Sequence, residues 1–203
     1  MSESDNYDHE AAQLAHFRAV AKRELRARMR SVRNLVPLAA RETRSAAAVA
    51  RVLELPEFAS AGTVIAFSAI QKELDPAAVL AHAITMGKRV GLPCVVEDRL
   101  ILREQTDPGA LVEGAFGVLE PPATAAIIDP QTVDLVLVPG LAFDARGHRI
   151  GYGRAFYDRL LPLLPRAFRV GIGFDFQLVP ELPNEDHDIP LQCVISDART
   201  LRM

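Results

Sequence analysis

A chain of 203 residues, 49% of them hydrophobic, has the material for one sizeable core, which excludes global disorder. A formal charge of -3 excludes a generic nucleic-acid binder. No apolar run approaches the ~20 residues of a membrane span, and the acidic, polar opening MSESDNYDHE is unlike a secretory signal.

Cys94 and Cys193 share no CxxC spacing and read as buried thiols in a reducing compartment, so a cytoplasmic location is expected. Residues 1–9 are expected to form a mobile tail and 10–203 a single domain. A helix is predicted over 10–35, where Leu14, Phe17, Ala21, Leu25 and Val32 share an apolar face. Lys22, Arg26 and Arg33 form a second stripe roughly 90° round that helix. They sit at the edge of the buried face, where long cations reach into a neighbouring cleft. The alternative is a solvated basic face, the preferred reading for Arg28 and Arg30.

A second helix is predicted over 38–55, ended by Pro56, and a strand over 63–67. The loop 68–73 then lies at a strand's C-terminal end, where ligands of open α/β sheets collect. Asp75 caps and Pro76 opens a helix to about Met86, which Gly87 ends. Strands follow over 89–96 and 100–102, then an irregular surface excursion over 105–133 with several Pro and Gly. Further strands are predicted over 135–138, 168–172 and 191–195, with an edge strand at 199–202. A helix is predicted over 154–164 and a loop over 177–188. Strands alternating with helices indicate an α/β layer fold with a largely parallel sheet.

Chemistry concentrates after the strand over 135–138. Pro139 and Gly140 end it, and Gly147, Gly151 and Gly153 follow with Arg149 and Arg154 among them. Phe156, Tyr157 and Asp158 come at the start of the helix. Glycines let a backbone approach phosphate oxygens, arginines neutralise them, and a carboxylate just beyond can hold a bridging Mg²⁺. The pattern is neither GxxxxGK[ST] nor GxGxxG. For the glycines alone, a plain strand-to-helix turn is the preferred reading; Arg149, Arg154, Tyr157 and Asp158 together shift it toward a nucleoside-triphosphate site. His148 and His187 show no metal spacing and read as surface or core residues.

The segment FDARGHRIGYGRAFYDRLL resembles the signature of the 5-formyltetrahydrofolate cyclo-ligase family, also called 5,10-methenyltetrahydrofolate synthetases. Three further stretches agree in order. Lys22-Arg-Glu-Leu25-Arg26 is similar to an N-terminal KxxLR. Phe67-Ser68 with Glu73-Leu-Asp75 is similar to a strand-loop element, and the stretch from Phe116 to Pro121 to an FGI-x-EP element. The likeness spans about residue 18 to the C-terminus. The chain departs from the family where Ala155 replaces a glycine, Phe156 a tyrosine, and Pro76 a common threonine. Ala155 adds a methyl that disfavours positive φ, and Phe156 lacks the hydroxyl.

This resemblance implies a three-layer α/β/α fold of the NagB/RpiA/CoA-transferase kind. It also implies ATP-dependent cyclisation of 5-formyltetrahydrofolate by a monomer that needs no nucleic acid or membrane. The folate is expected with or without a polyglutamate tail. Lys22 and Arg26 would bind nucleotide phosphates, and Arg149, Ile150, Gly151, Tyr152, Gly153, Arg154, Ala155, Phe156 and Tyr157 would wrap ATP. Arg154, nearest the transferred phosphoryl group, and Tyr157 are the implied catalytic residues. Ser68, Glu73, Phe116, Tyr152, Arg154 and Phe156 would take the folate, with Glu120 shaping the same cleft. Asp158 and Asp197 would hold Mg²⁺. Two other classes stay open: a divergent folate- or nucleotide-binding protein without turnover, and a sugar-phosphate enzyme on a similar fold.

Overall fold

The computed structural model describes residues 3–184 and 188–203; His187 and the first two residues of the expected tail lie outside them. Helices α1 (Glu3–Asn34), α2 (Leu38–Leu53) and α3 (Pro56–Ser60) precede strand β1 (Thr63–Ile65), and α4 (Ala77–Thr85) leads into β2 (Arg89–Val96) and β3 (Arg99–Glu104). A hairpin of β4 (Val112–Glu113) and β5 (Leu119–Glu120) comes next, then β6 (Leu135–Val138), β7 (Ala142–Asp144) and β8 (Arg149–Ile150). Helix α5 (Phe156–Leu160) is followed by β9 (Phe168–Ile172), β10 (Leu178–Val179), β11 (Cys193–Ile195) and β12 (Thr200–Arg202).

The main sheet has the order β12-β11-β9-β6-β1-β2-β3. Its inner strands run parallel, and β12 and β3 add antiparallel edges. The sheet is therefore the largely parallel one expected. Burial on both faces accounts for the unbroken apolar run of β6. Leu135 and Leu137 point into one core, beneath α2, α3 and α4, with Val64, Val170 and Ile172. Val136 and Val138 point into the other, with Ile65, Val194, and Leu160 of α5. Gly171 of β9 lies on this second face, where a Cβ would come within 2.6 Å of the Leu191 side chain and 2.8 Å of Phe143.

Several details differ from expectation. Helix α1 is already helical from Glu3, and its apolar stripe is not its buried face. Leu14, Phe17 and Val32 are exposed, while Met29 and Arg33 are buried. Met29 packs with Leu141, Ala142, Ile150 and Leu182. The side of α1 facing the body is therefore the one bearing Lys22, Arg26, Met29 and Arg33, at the four- and three-residue spacing of a single helix face. Pro56 opens α3 as well as following α2. The excursion over 105–133 contains the β4–β5 hairpin. A small sheet of order β10-β7-β8 forms from strands of two or three residues. Helix α5 begins only at Phe156 and gives way to a 3₁₀ turn, Leu161–Leu163, with Pro162 inside it.

Both cysteines are buried free thiols, as expected. Burial pushes Cys94 up to about 12 and Cys193 up to about 11. Among the described residues, no helix is long and apolar enough to cross a membrane.

Candidate active site

A cleft of about 330 Å³ opens beside the C-terminal ends of β1 and β6, between α1, the β4–β5 hairpin and α5. Lys22 and Arg26 of α1, Ser68 and Glu73 of the loop after β1, and Phe116 of the hairpin loop all line it, together with every residue of 149–158. Of the site residues expected from sequence, only Asp197 does not line the cleft. Its Oδ1 accepts the Asp175 backbone N–H at 2.7 Å, and Arg44 Nε lies 3.8 Å from its Oδ2. The expected pairing of Asp197 with Asp158 is not what the fold builds. Asp197 follows β11, two strands from β6 in the sheet, and it braces the turn after β9.

The Gly-rich segment is aimed from behind. Buried Asp144 at the end of β7 accepts the backbone N–H groups of Arg146 and His148, fixing the turn into β8. Arg26 Nε donates to the Gly151 carbonyl at 2.9 Å, so α1 pins the segment directly. Gly153 has φ +92°, and a Cβ there would meet the Arg26 guanidinium at 3.6 Å. Ala155 also has positive φ, 53°, immediately before α5. It adopts a conformation that glycine takes freely and alanine does not.

The cations sit at two depths. The Arg149 side chain is 7% exposed; its Nη2 binds Asp158 Oδ1 and its guanidinium lies 5.5 Å from the Tyr157 ring centre. Arg154 is exposed at the rim and stacks on Phe116, 3.9 Å from the ring centre. Phe116 in turn faces Phe156 at 6.4 Å. Arg154 is therefore held by an aromatic face, a contact that an arriving anion must compete with. Lys22 lies 3.7 Å from Asp188, which also lines the cleft.

The other half of the cleft holds carboxylates and aromatics. Tyr152 donates its hydroxyl proton to Glu73 Oε1 at 2.7 Å, and the Ile70 N–H donates to Glu73 Oε2 at 3.0 Å. Burial pushes the Glu73 carboxyl above the usual range, opposed by these hydrogen bonds and by Arg33. Glu120 is also pushed up by burial, against a hydrogen bond from the Val95 N–H and the charge of Arg103. The Ser68 hydroxyl donates to the Leu119 carbonyl, tying the loop after β1 to the hairpin. The Tyr157 hydroxyl and Arg149 Nε are sealed from solvent with no hydrogen-bond partner in the protein. Tyr157 and Arg149 both line the cleft.

Asp158 faces the cleft and is one-third exposed. Mg²⁺ on a nucleotide needs only one or two protein carboxylates, the rest of its shell being phosphate and water, so Asp158 fits that role. Among the described residues, no cluster of three or more His, Cys, Asp or Glu is placed to hold a metal alone.

Sequence reasoning missed the apolar wall made by Pro93, Val95 and Leu100 of β2 and β3, and it missed Asp188. The wall residues carry the ordinary pattern of a strand pair, and only the three-dimensional closure of β3 against α5 brings them to the site.

The sequence profile of the 5-formyltetrahydrofolate cyclo-ligase family matches residues 18–197. The chain is 32% identical over 158 residues to 5-formyltetrahydrofolate cyclo-ligase of Escherichia coli strain K12, covering 75% of this chain and 87% of that protein. It is 32% identical over 188 residues to the protein of the same name from Mycolicibacterium smegmatis, covering 88% and 95%. Its fold is similar to that of Aquifex aeolicus 5,10-methenyltetrahydrofolate synthetase, with a TM-score of 0.81, 31% identity, and coverage of 89% and 92%. The match contains both walls of the cleft, from Lys22 to Asp188, and on that extent the chain belongs to the 5-formyltetrahydrofolate cyclo-ligase family.

Proposed function

We propose that the cleft binds ATP and 5-formyltetrahydrofolate together and cyclises the folate to 5,10-methenyltetrahydrofolate, releasing ADP and phosphate. The formyl amide is a poor electrophile, and its oxygen a poor leaving group. In the proposed sequence that oxygen attacks the γ-phosphorus and ADP departs. N10 then attacks the activated carbon, loses its proton, and phosphate leaves as the ring closes. Phosphoryl transfer of this kind needs positioning and charge neutralisation more than covalent help.

Arg149, Lys22 and Arg26 are suited to the phosphates, with Arg154 swinging from Phe116 to the transferred group. The residues of 149–157 would wrap the nucleotide. The unpartnered Tyr157 hydroxyl would donate to a reacting oxygen. Glu73 would accept N–H donors of the pterin, which packs against Phe116, Phe156 and Tyr152; Ser68 would hold that wall through the hairpin. Asp158 would hold Mg²⁺, which supplies charge neutralisation on the phosphates. Two buried free thiols support placing this activity in a reducing cytoplasm. The enzyme is proposed to act as a monomer on the folate with or without a polyglutamate tail.

The observation that carries this reading is the division of one cleft into a cationic half, from α1 and 149–154, and a carboxylate–aromatic half around Glu73. Mixing the protein with ATP, Mg²⁺ and 5-formyltetrahydrofolate should raise the methenyl absorbance, with no rise when ATP is omitted. Tight binding of both ligands without product would instead establish a folate- and nucleotide-binding protein.

A further inference from the structure

Arg33 does not line the cleft, yet its guanidinium is among the most deeply buried charges of the chain, with 1% of its side chain exposed. Its Nη2 donates to the Tyr152 hydroxyl, and that hydroxyl donates onward to Glu73 Oε1. Arg33 Nη1 lies 3.6 Å from the same oxygen, and the guanidinium sits 5.5 Å from the Tyr152 ring centre. Three segments remote in sequence thus meet at one point: α1, the loop after β1, and the segment after β8. The Nε and Nη1 of Arg33 have no hydrogen-bond partner. A guanidinium does not give up its proton, so its buried charge requires a negative neighbour. Its only ion pair among the described residues is with Glu73.

We infer that Arg33 is a positioning residue for the folate half of the cleft, its buried guanidinium fixing the charge of Glu73 and the direction of the Tyr152 hydroxyl. This rests on the reading of Glu73 as the carboxylate that accepts the pterin. With its hydroxyl proton committed to Glu73 and a lone pair committed to Arg33, Tyr152 is fixed in rotation. Glu73, held also by the Ile70 N–H, keeps its carboxyl at the cleft with the Arg33 guanidinium beside it. Other groups facing Glu73 are Tyr152 and, from α5, Tyr157, which feels its charge. Neighbouring Lys72 reaches away, to the Asn34 carbonyl. Burial drives Glu73 toward its neutral form, and Arg33 is the cation that opposes this.

The test compares the full chain with Arg33→Met and Arg33→Lys, measuring kcat and KM for each substrate between about pH 6 and about pH 9. In Arg33→Met, the folate KM should rise on the order of tenfold near neutral pH and recover as pH climbs and Glu73 ionises. The ATP KM should stay within about twofold, and Arg33→Lys should restore most of the folate affinity. A defect that is flat with pH, equal for both substrates and not rescued by lysine would reduce Arg33 to a structural role and overturn the inference. Wild-type turnover is the control, because its absence refutes the cyclo-ligase reading and not the role of Arg33. A readout without any variant is carbon-13 NMR of the wild-type Glu73 carboxyl. Ionisation through neutral pH is expected, and a protonated carboxyl there overturns the inference.

Discussion

Ala155 is an alanine in the left-handed region, at φ 53° and ψ 22°, one residue before α5. That conformation sets an L side chain close to the following carbonyl and costs about 1–2 kcal/mol relative to glycine. Replacing alanine with glycine also loosens the unfolded chain, which returns about 0.4–1 kcal/mol of that gain. Residue 155 is exposed, so loss of the methyl opens no cavity in the core. Ala155→Gly should therefore stabilise the protein by up to about 1.6 kcal/mol net. For a domain of this size, that raises Tm by up to about 6 °C. The reciprocal change, Gly153→Ala, forces a side chain into φ +92°. It should lower Tm by about 2–4 °C for each kcal/mol of strain. Thermal melts followed by circular dichroism decide the matter. An Ala155→Gly protein that melts below the parent would show that residue 155 is not held left-handed.

Arg154→Ala should lower kcat by ~10² or more if its guanidinium leaves Phe116 to neutralise the transferring phosphoryl group; near-normal turnover in a steady-state assay would remove it from the chemistry. Asp158→Asn should raise the Mg²⁺ needed for half-maximal rate, and an unchanged magnesium titration would confine Asp158 to its ion pair with Arg149. Tyr157→Phe removes a hydroxyl that has no partner in the protein, so calorimetry should find the ligand-free variant as stable or up to about 1 kcal/mol more so. Its kcat should nonetheless fall, and unaltered kinetics would deny the hydroxyl a substrate partner. Hydrogen bonds from Arg202 and Arg199 hold Glu57 and Asp175 below their ordinary values of 4.5 and 3.8. The stability these carboxylates add is complete above those values and is lost as pH falls through the depressed ones. Amide protection factors in β12, which carries Arg202, should therefore fall on acidification before those in β6 do; simultaneous loss would refute this.

The inner strands were legible because burial on both faces leaves a continuous apolar run, as in Leu135–Val138. The cleft's cations were legible from spacing, with Lys22 and Arg26 on one helix face and Arg149 and Arg154 among glycines. The apolar stripe of α1 misled, since Leu14 and Phe17 extend beyond the body while Met29 and Arg33 take the buried position. Nothing local distinguishes those two faces, because the choice depends on where Leu141, Ala142 and Ile150 lie in space. The β7, β8 and β10 strands are too short to show a period of two. Asp197 carried no sign that the Asp175 N–H and Arg44 would engage it. Arg33 was visible in the basic stripe, but its burial against Glu73 depends on two segments far along the chain.

The central claim is that the formyl oxygen is phosphorylated in this cleft. Turnover of 5-formyltetrahydrofolate carrying oxygen-18 in its formyl group, with mass analysis of the released phosphate, tests it most directly. One heavy oxygen in each phosphate, formed in step with ADP and methenyl product, is the predicted result. Product accompanied by unlabelled phosphate, or formed without ATP, would contradict it.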